Sequence, residues 1–114
     1  MPWQAKSPYH IWISEIMLQQ TQVKTVIPYF HKFINSFPSI KSLAKSDLDK
    51  VLANWSGLGY YTRAKNIHKA SKIIHQKYHG SIPKNYEQLI ELPGIGESTA
   101  GALLTLAFDK PGII

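Results

Sequence analysis

Two stretches of this chain, "WSGLGYYTRA" and "LPGIGESTAG", align so that Gly57 and Gly59 fall 37 residues before Gly94 and Gly96. Each belongs to the same unit: a short amphipathic segment, an apolar-x-Gly-apolar-Gly loop, then a second helical segment. Glycine carries no Cβ, so it admits positive φ and lets the backbone approach a ligand closely. The amide groups that open the following helix then point outward, where an anion can dock. Turns between helices commonly use glycine, so the loops alone are weak evidence. The fuller "LPGIGxxTA", led by an amphipathic helix and followed by the small residues Ala100, Gly101 and Ala102, is far more specific.

A fold built on such units must be helical, and the rest of the chain agrees. Ser7 and Pro8 form an N-cap and first-turn pair opening a helix through about Gln20. A second helix gathers Val26, Ile27, Phe30, Phe33, Ile34 and Phe37 on one side and stops at Pro38, with Pro28 in its first turns or kinking it. Ser39 to Ala44 reads as a short helical turn, and Asp47 to Trp55 as another, capped by Ser46. A long helix spans about Tyr60 to Tyr78 and ends at Gly80, Asn85 to Leu92 is short, and Glu97 to Phe108 is helical. No useful period-two stretch exists, so the expected class is all-α: a six-helix, barrel-type bundle containing a helix-hairpin-helix motif, in one domain over residues 1–114.

Hydrophobic residues make up 44% of the 114 residues and cysteine is absent, which describes a globular chain with no disulfide framework and no thiolate ligands. No apolar run is long enough to span a bilayer and no signal peptide precedes "MPWQ", so an intracellular, cytoplasmic and monomeric protein without membrane attachment is expected. Net charge is +6, and its distribution is uneven. From Lys50 to Glu87 there is no acid, while Lys50, Arg63, Lys65, Lys69, Lys72, Lys77 and Lys84 all fall in that window. Lys65, Lys69 and Lys72 share a helical stripe opposite Ile67, Ala70 and Ile74, with His68, His75 and His79 along its edge. A one-sided basic stripe suits a polyanion, although a solvated lysine face has the same pattern. The histidines lack an adjoining carboxylate, so no metal site is expected.

One residue breaks the pattern of the first helix. Within "HIWISEIML" a single carboxylate, Glu15, lies between Ile11 and Trp12, with Leu18 and Gln19 on the next turn. A solvated face would gather several charges. A lone glutamate here is either satisfied by backbone donors or held in a dry cleft for chemistry.

"ELPGIGESTAGALL" resembles the helix-hairpin-helix of base-excision DNA glycosylases. "PYHIWISEIMLQQTQVKTVIPYF" together with "WSGLGYYTRAKNIHKA" narrows the resemblance to adenine DNA glycosylases, the MutY family, over essentially the whole chain. The resemblance implies an enzyme of base-excision repair that binds double-stranded DNA, flips out an adenine mispaired with guanine or 8-oxoguanine, and hydrolyses its N-glycosidic bond. It puts the catalytic glutamate on Glu15. Trp3, Gln4 and Leu18 match positions lining the adenine pocket, Gln20 one inserted in the DNA stack, and Tyr60 one wedged beside the opposing oxidised guanine; for Tyr60, core packing is the competing reading. Leu92, Pro93, Gly94, Ile95, Gly96, Ser98 and Thr99 match the DNA-binding hairpin. Ser98, also placed at the substrate pocket, stands where related thymine-glycol glycosylases carry a Schiff-base lysine, which implies monofunctional chemistry here.

The resemblance also implies features that these 114 residues do not contain. The family's catalytic aspartate belongs to a "DGNV" motif beyond "DKPGII", and Asp109 is not that residue. The cysteines of its 4Fe–4S iron–sulphur cluster and the domain recognising 8-oxoguanine lie further on. The chain is thus expected to be the helical-barrel part of such an enzyme, with little or no activity of its own. Two other classes compete: a non-catalytic DNA-binding module that clamps phosphate with the hairpin, and a bifunctional pyrimidine glycosylase, disfavoured by Ser98 and "LQQTQV".

Overall fold

The computed structural model describes residues 7–108. These form seven α-helices in the order α1 (Pro8–Met17), α2 (Val23–Ser36), α3 (Ile40–Lys45), α4 (Leu48–Trp55), α5 (Thr62–Lys77), α6 (Tyr86–Ile90) and α7 (Glu97–Ala102), followed by a π-helical turn, Leu103–Ala107. No strand occurs among the described residues. The all-α expectation holds, with seven α-helices among the described residues in place of six.

The core is one apolar cluster to which every helix contributes, including Trp12 and Met17 of α1, Phe33 of α2, Leu43 of α3, Trp55 of α4, Ile67 and Ile74 of α5, Leu89 of α6 and Ala100 of α7. The predicted apolar side of α2 divides unequally. Val26, Phe30, Phe33 and Phe37 are buried, whereas Ile27 and Ile34 flank the cluster. Pro28 is accommodated inside α2. The Tyr9 hydroxyl donates to the Phe37 carbonyl at 2.6 Å, joining the start of α1 to the end of α2, and burial pushes its pKa up.

Several expected helix ends move, each for a local reason. Ser7 sits at the N-cap of α1 without a side-chain capping bond, so Pro8 at the first turn carries that signal. Ser46 does not cap α4; Asp47 occupies that position, and the Ser46 hydroxyl turns back to the Leu43 carbonyl at the end of α3. Ser39 and Ser42 form a reciprocal capping box that starts α3. After α5, His79 and Gly80 both take positive φ, and the Gly80 amide closes onto the Ile74 carbonyl at 3.0 Å. Glu97 to Phe108 is not one α-helix: the Phe108 amide reaches back five residues to Leu103, widening the last turn.

Candidate nucleic-acid interface

α1 ends at Met17, three residues before the expected Gln20, and Gln20 itself turns the chain with φ +59°. Tyr60 begins the turn into α5 with φ +51°. Left-handed backbone is uncommon for residues with a Cβ, and these two lie on opposite sides of one side chain. Arg63 Nη1 donates to the carbonyls of Ile16, Met17 and Gln19 at 3.0, 2.8 and 2.6 Å. Its Nη2 donates to Thr21 Oγ1 and to the Gly59 carbonyl, both at 3.2 Å. The last carbonyls of a helix lack internal partners and carry partial negative charge, so a guanidinium beneath them answers both needs. Arg63 also lies 5.4 Å from the Trp55 ring and 5.3 Å from the Tyr60 ring, while Trp55 Nε1 donates to the Gly59 carbonyl at 2.9 Å.

The two turns share a surface cavity of about 220 Å³ lined by Gln19, Gln20, Tyr60, Thr62, Arg63 and Asn66. Tyr60 is 60% exposed at its edge, which removes the competing reading of Tyr60 as a core residue. Next to it stands the hairpin between α6 and α7. Leu92 and Ile95 are buried, so they anchor the hairpin and offer a ligand only their backbone, while Gly94 and Gly96 are exposed. Gly94 has φ +79°, and a Cβ there would lie 2.8 Å from Asn66 Cβ. Gly96 is different: φ is −98° and the space around it is open. The two glycine loops are therefore not conformational copies, since both Gly57 and Gly59 of the first have positive φ. Gln19 Nε2 donates to Thr99 Oγ1 at 3.2 Å, tying the turn after α1 to α7. Thr99 is buried and Ser98 is exposed on the first turn of that helix.

Glu15 is half-buried on α1, more accessible than its apolar neighbourhood suggested. Ser14 and Ile16 beside it are buried, and burial pushes the Glu15 carboxyl above the usual range. The direction agrees with desolvation by the apolar stretch. A carboxyl raised in this way binds more protons in the folded chain than in the unfolded one. Its stabilising contribution is therefore present below the unfolded pKa and is lost as pH rises through the folded one. Titration of the Glu15 side chain by carbon-detected NMR is expected to give a midpoint above the model-peptide value of about 4.3. Glu15→Gln should remove that component of the pH dependence of the melting temperature, and a midpoint at or below the model value would refute the desolvation account.

The basic stripe on α5 is partly committed to the fold. Lys72 Nζ donates to the Ala44 carbonyl at 2.8 Å, and His68 is buried with Nε2 2.8 Å from the Ser46 carbonyl. A carbonyl only accepts, so His68 carries its proton on Nε2. Both residues close the C-terminal end of α3, where the Lys72 charge complements the helix dipole. Lys65 and Lys69 remain exposed.

Trp3 and Gln4 lie outside the described residues, and Leu18 is half-buried directly after α1. Among the described residues no group of three His, Cys, Asp or Glu could hold a metal ion. The chain contains no cysteine, so the residues present do not fit a 4Fe–4S cluster. No helix among the described residues is long and apolar enough to cross a membrane. Asn66, which abuts the hairpin, was not singled out from the sequence, and Arg63 was noted there only as one of the basic residues of the acid-free window. The signal was available in the arginine four residues after Gly59, at the start of a helix that follows a glycine loop.

A helical domain that joins a glycine hairpin to two left-handed turns on one surface is a helix-hairpin-helix protein. Residues 13–114 match the HhH-GPD superfamily base excision DNA repair protein family, and the chain belongs to that family. It is 62% identical over 110 residues to the adenine DNA glycosylase of Buchnera aphidicola subsp. Baizongia pistaciae, covering 96% of this chain and 31% of that protein. Against the adenine DNA glycosylase of Rattus norvegicus it is 42% identical over 103 residues, covering 90% of this chain and 20% of the relative. The chain thus spans about a third or less of the length of these curated relatives. Among solved structures, a thermostable thymine-DNA glycosylase superposes with a TM-score of 0.89 at 28% identity, over 96% of this chain and 52% of that one. A trapped endonuclease III–DNA covalent intermediate gives 0.83 at 23% identity, over 90% of this chain and 48% of the other, which bears on the fold alone.

Proposed function

We propose that residues 1–114 form the helix-hairpin-helix domain of a monofunctional adenine DNA glycosylase acting on adenine opposite 8-oxoguanine or guanine in duplex DNA. The observation that carries this reading is the single surface shared by the Gln19–Gln20 turn, exposed Tyr60 and the Gly94 hairpin, on a chain 62% identical to an adenine glycosylase. Hairpin amides and exposed lysines meet phosphate, which positions the duplex without reading its sequence. Gln20 and Tyr60 enter the base stack and fill the gap left by a flipped adenine. Glu15, whose carboxyl burial shifts toward the protonated form, is the group that gives a proton to a ring nitrogen of adenine and turns the base into a better leaving group. The C1′ left behind is oxocarbenium-like and requires negative charge beside it. Ser98 has no amine for a Schiff base, so no strand cleavage follows.

Binding is tested by fluorescence anisotropy on a short duplex carrying adenine opposite 8-oxoguanine, at two salt concentrations. Weak affinity that falls steeply between about 50 and 200 mM salt is expected, with little preference over a matched duplex. Affinity that does not change with salt would defeat the phosphate-clamping part of the proposal.

A further inference from the structure

We infer that Arg63 is a positioning residue that holds Gln20 and Tyr60 in the backbone geometry with which they enter DNA. This inference rests on the function proposed above for those two residues. The observation is one of convergence. The guanidinium engages the carbonyls of Ile16, Met17 and Gln19 on one side and that of Gly59 on the other, with Thr21 Oγ1 between them. Those groups bracket Gln20 (φ +59°) and adjoin Tyr60 (φ +51°). The Tyr60 ring lies 5.3 Å from the guanidinium on one side, and the buried Trp55 ring lies 5.4 Å from it.

Local bonds such as Thr21 N–H to the Leu18 carbonyl and Arg63 N–H to the Tyr60 carbonyl help close the two turns, yet glycine, which takes left-handed backbone freely, stands at neither position. Gln20 and Tyr60 both carry a Cβ, and each left-handed residue costs free energy that the surroundings must offset. What is common to both turns is Arg63, which sits 44 positions from Gln19 and four from Gly59. Only a planar group with several fixed donors can bind both turns at once. A lysine ammonium keeps the charge, yet it is a compact point donor without the fork. Arg63 thereby sets the spacing between two residues that no backbone segment connects directly. Its donors are used on protein carbonyls and the Thr21 hydroxyl, so its role is to aim the two side chains rather than to touch DNA.

The test uses the 114-residue chain and a duplex with 2-aminopurine opposite guanine, whose fluorescence rises when the base is unstacked. Two quantities are read: the dissociation constant and the fluorescence rise at saturating protein. Arg63→Lys retains the phosphate-attracting charge, so the dissociation constant should stay within about threefold of wild type, while the rise at saturation falls about tenfold. Thr21→Ala, which removes one contact of the hub, should lower the rise less and preserve folding where Arg63→Lys does not. In a Gln20→Ala/Tyr60→Ala background Arg63→Lys should lower the rise little further, since both side chains it aims are gone. A role in stability alone would lower the melting temperature and weaken binding but leave the rise at saturation unchanged, and that pattern overturns the inference. If wild-type chain binds duplex yet gives no rise, the insertion proposed for Gln20 and Tyr60 fails. The inference about Arg63 is then decided without DNA, by NMR couplings and carbon shifts at Gln20 and Tyr60. Loss of their left-handed signature in Arg63→Lys or Thr21→Ala sustains it; retention of that signature in both refutes it.

Discussion

Gly94→Val is expected to destabilise the chain severely and to remove DNA binding with it. Two costs add at this position. The backbone has φ +79°, a region where a β-branched side chain is strained by about 1 to 3 kcal/mol. The new Cβ would also lie 2.8 Å from Asn66 Cβ. That neighbour is the first atom of a side chain fixed on helix α5, so it cannot swing away as the end of a lysine could, and overpacking costs typically 1 to 3 kcal/mol more. The sum, roughly 2 to 6 kcal/mol, is a large part of the 5 to 15 kcal/mol that holds a domain folded. It corresponds to a fall in melting temperature on the order of 10 °C or more. Asn66→Ala would not restore stability, because it leaves the opposing Cβ in place.

Gly96→Ala separates folding from binding. Its φ of −98° suits any residue and nothing lies within 4 Å of the added methyl, so stability should fall only by the cost of alanine against glycine at an N-cap, about 1 kcal/mol. A methyl at the N-cap of α7 nevertheless stands between the hairpin amides and a phosphate. Anisotropy titrations should therefore show weaker DNA binding for Gly96→Ala while the chain stays folded. Unchanged affinity in that variant would mean that the backbone at Gly96 is not approached by the ligand.

Much of the helical plan was legible because it depends on local chemistry. Apolar spacing identified the face of α2 that buries Val26, Phe30, Phe33 and Phe37, and Gly80 marked where α5 stops. Glu15 stood out as the lone charge in an apolar stretch, and its carboxyl is indeed raised by burial, although the residue is only half-buried. What sequence concealed depends on partners far along the chain. α1 stops at Met17 where its carbonyls meet Arg63, 46 positions away. Lys72 reads as a solvated or phosphate-binding charge until the end of α3 is brought beneath it. The aligned glycine loops suggested equal backbone geometry, yet Gly94 is constrained by Asn66 from another helix and Gly96 by nothing. Periodicity also carries no mark of the π-helical turn after Ala102, because a single widened turn leaves the apolar pattern nearly unchanged.

The 114-residue chain by itself is expected not to excise adenine at a useful rate, and the reason lies in how the reaction divides its charge. A raised Glu15 can protonate the departing base, but protonation serves only the leaving group. Positive charge then develops at C1′, and the resemblance to adenine glycosylases assigns its stabilisation to an aspartate in a "DGNV" motif that these 114 residues do not include. Loss of one preorganised electrostatic group commonly lowers a rate by about 10² to 10³, roughly 3 to 4 kcal/mol. Glu15 is moreover only half-buried in this chain, so under the proposed function a flipped base would meet an incomplete wall there. A misplacement of about 1 Å can cost on the order of another 10². The two losses multiply, giving a deficit of about 10⁴ to 10⁵ against a chain extended through the aspartate and the cluster cysteines. A single-turnover assay with excess protein, on duplex carrying adenine opposite 8-oxoguanine, measures this directly when the abasic product is cleaved with alkali. Residual excision should vanish in Glu15→Gln. Excision by the 114-residue chain within about tenfold of the extended one would show that Glu15 and this surface suffice, and that the aspartate is not the dominant source of transition-state stabilisation.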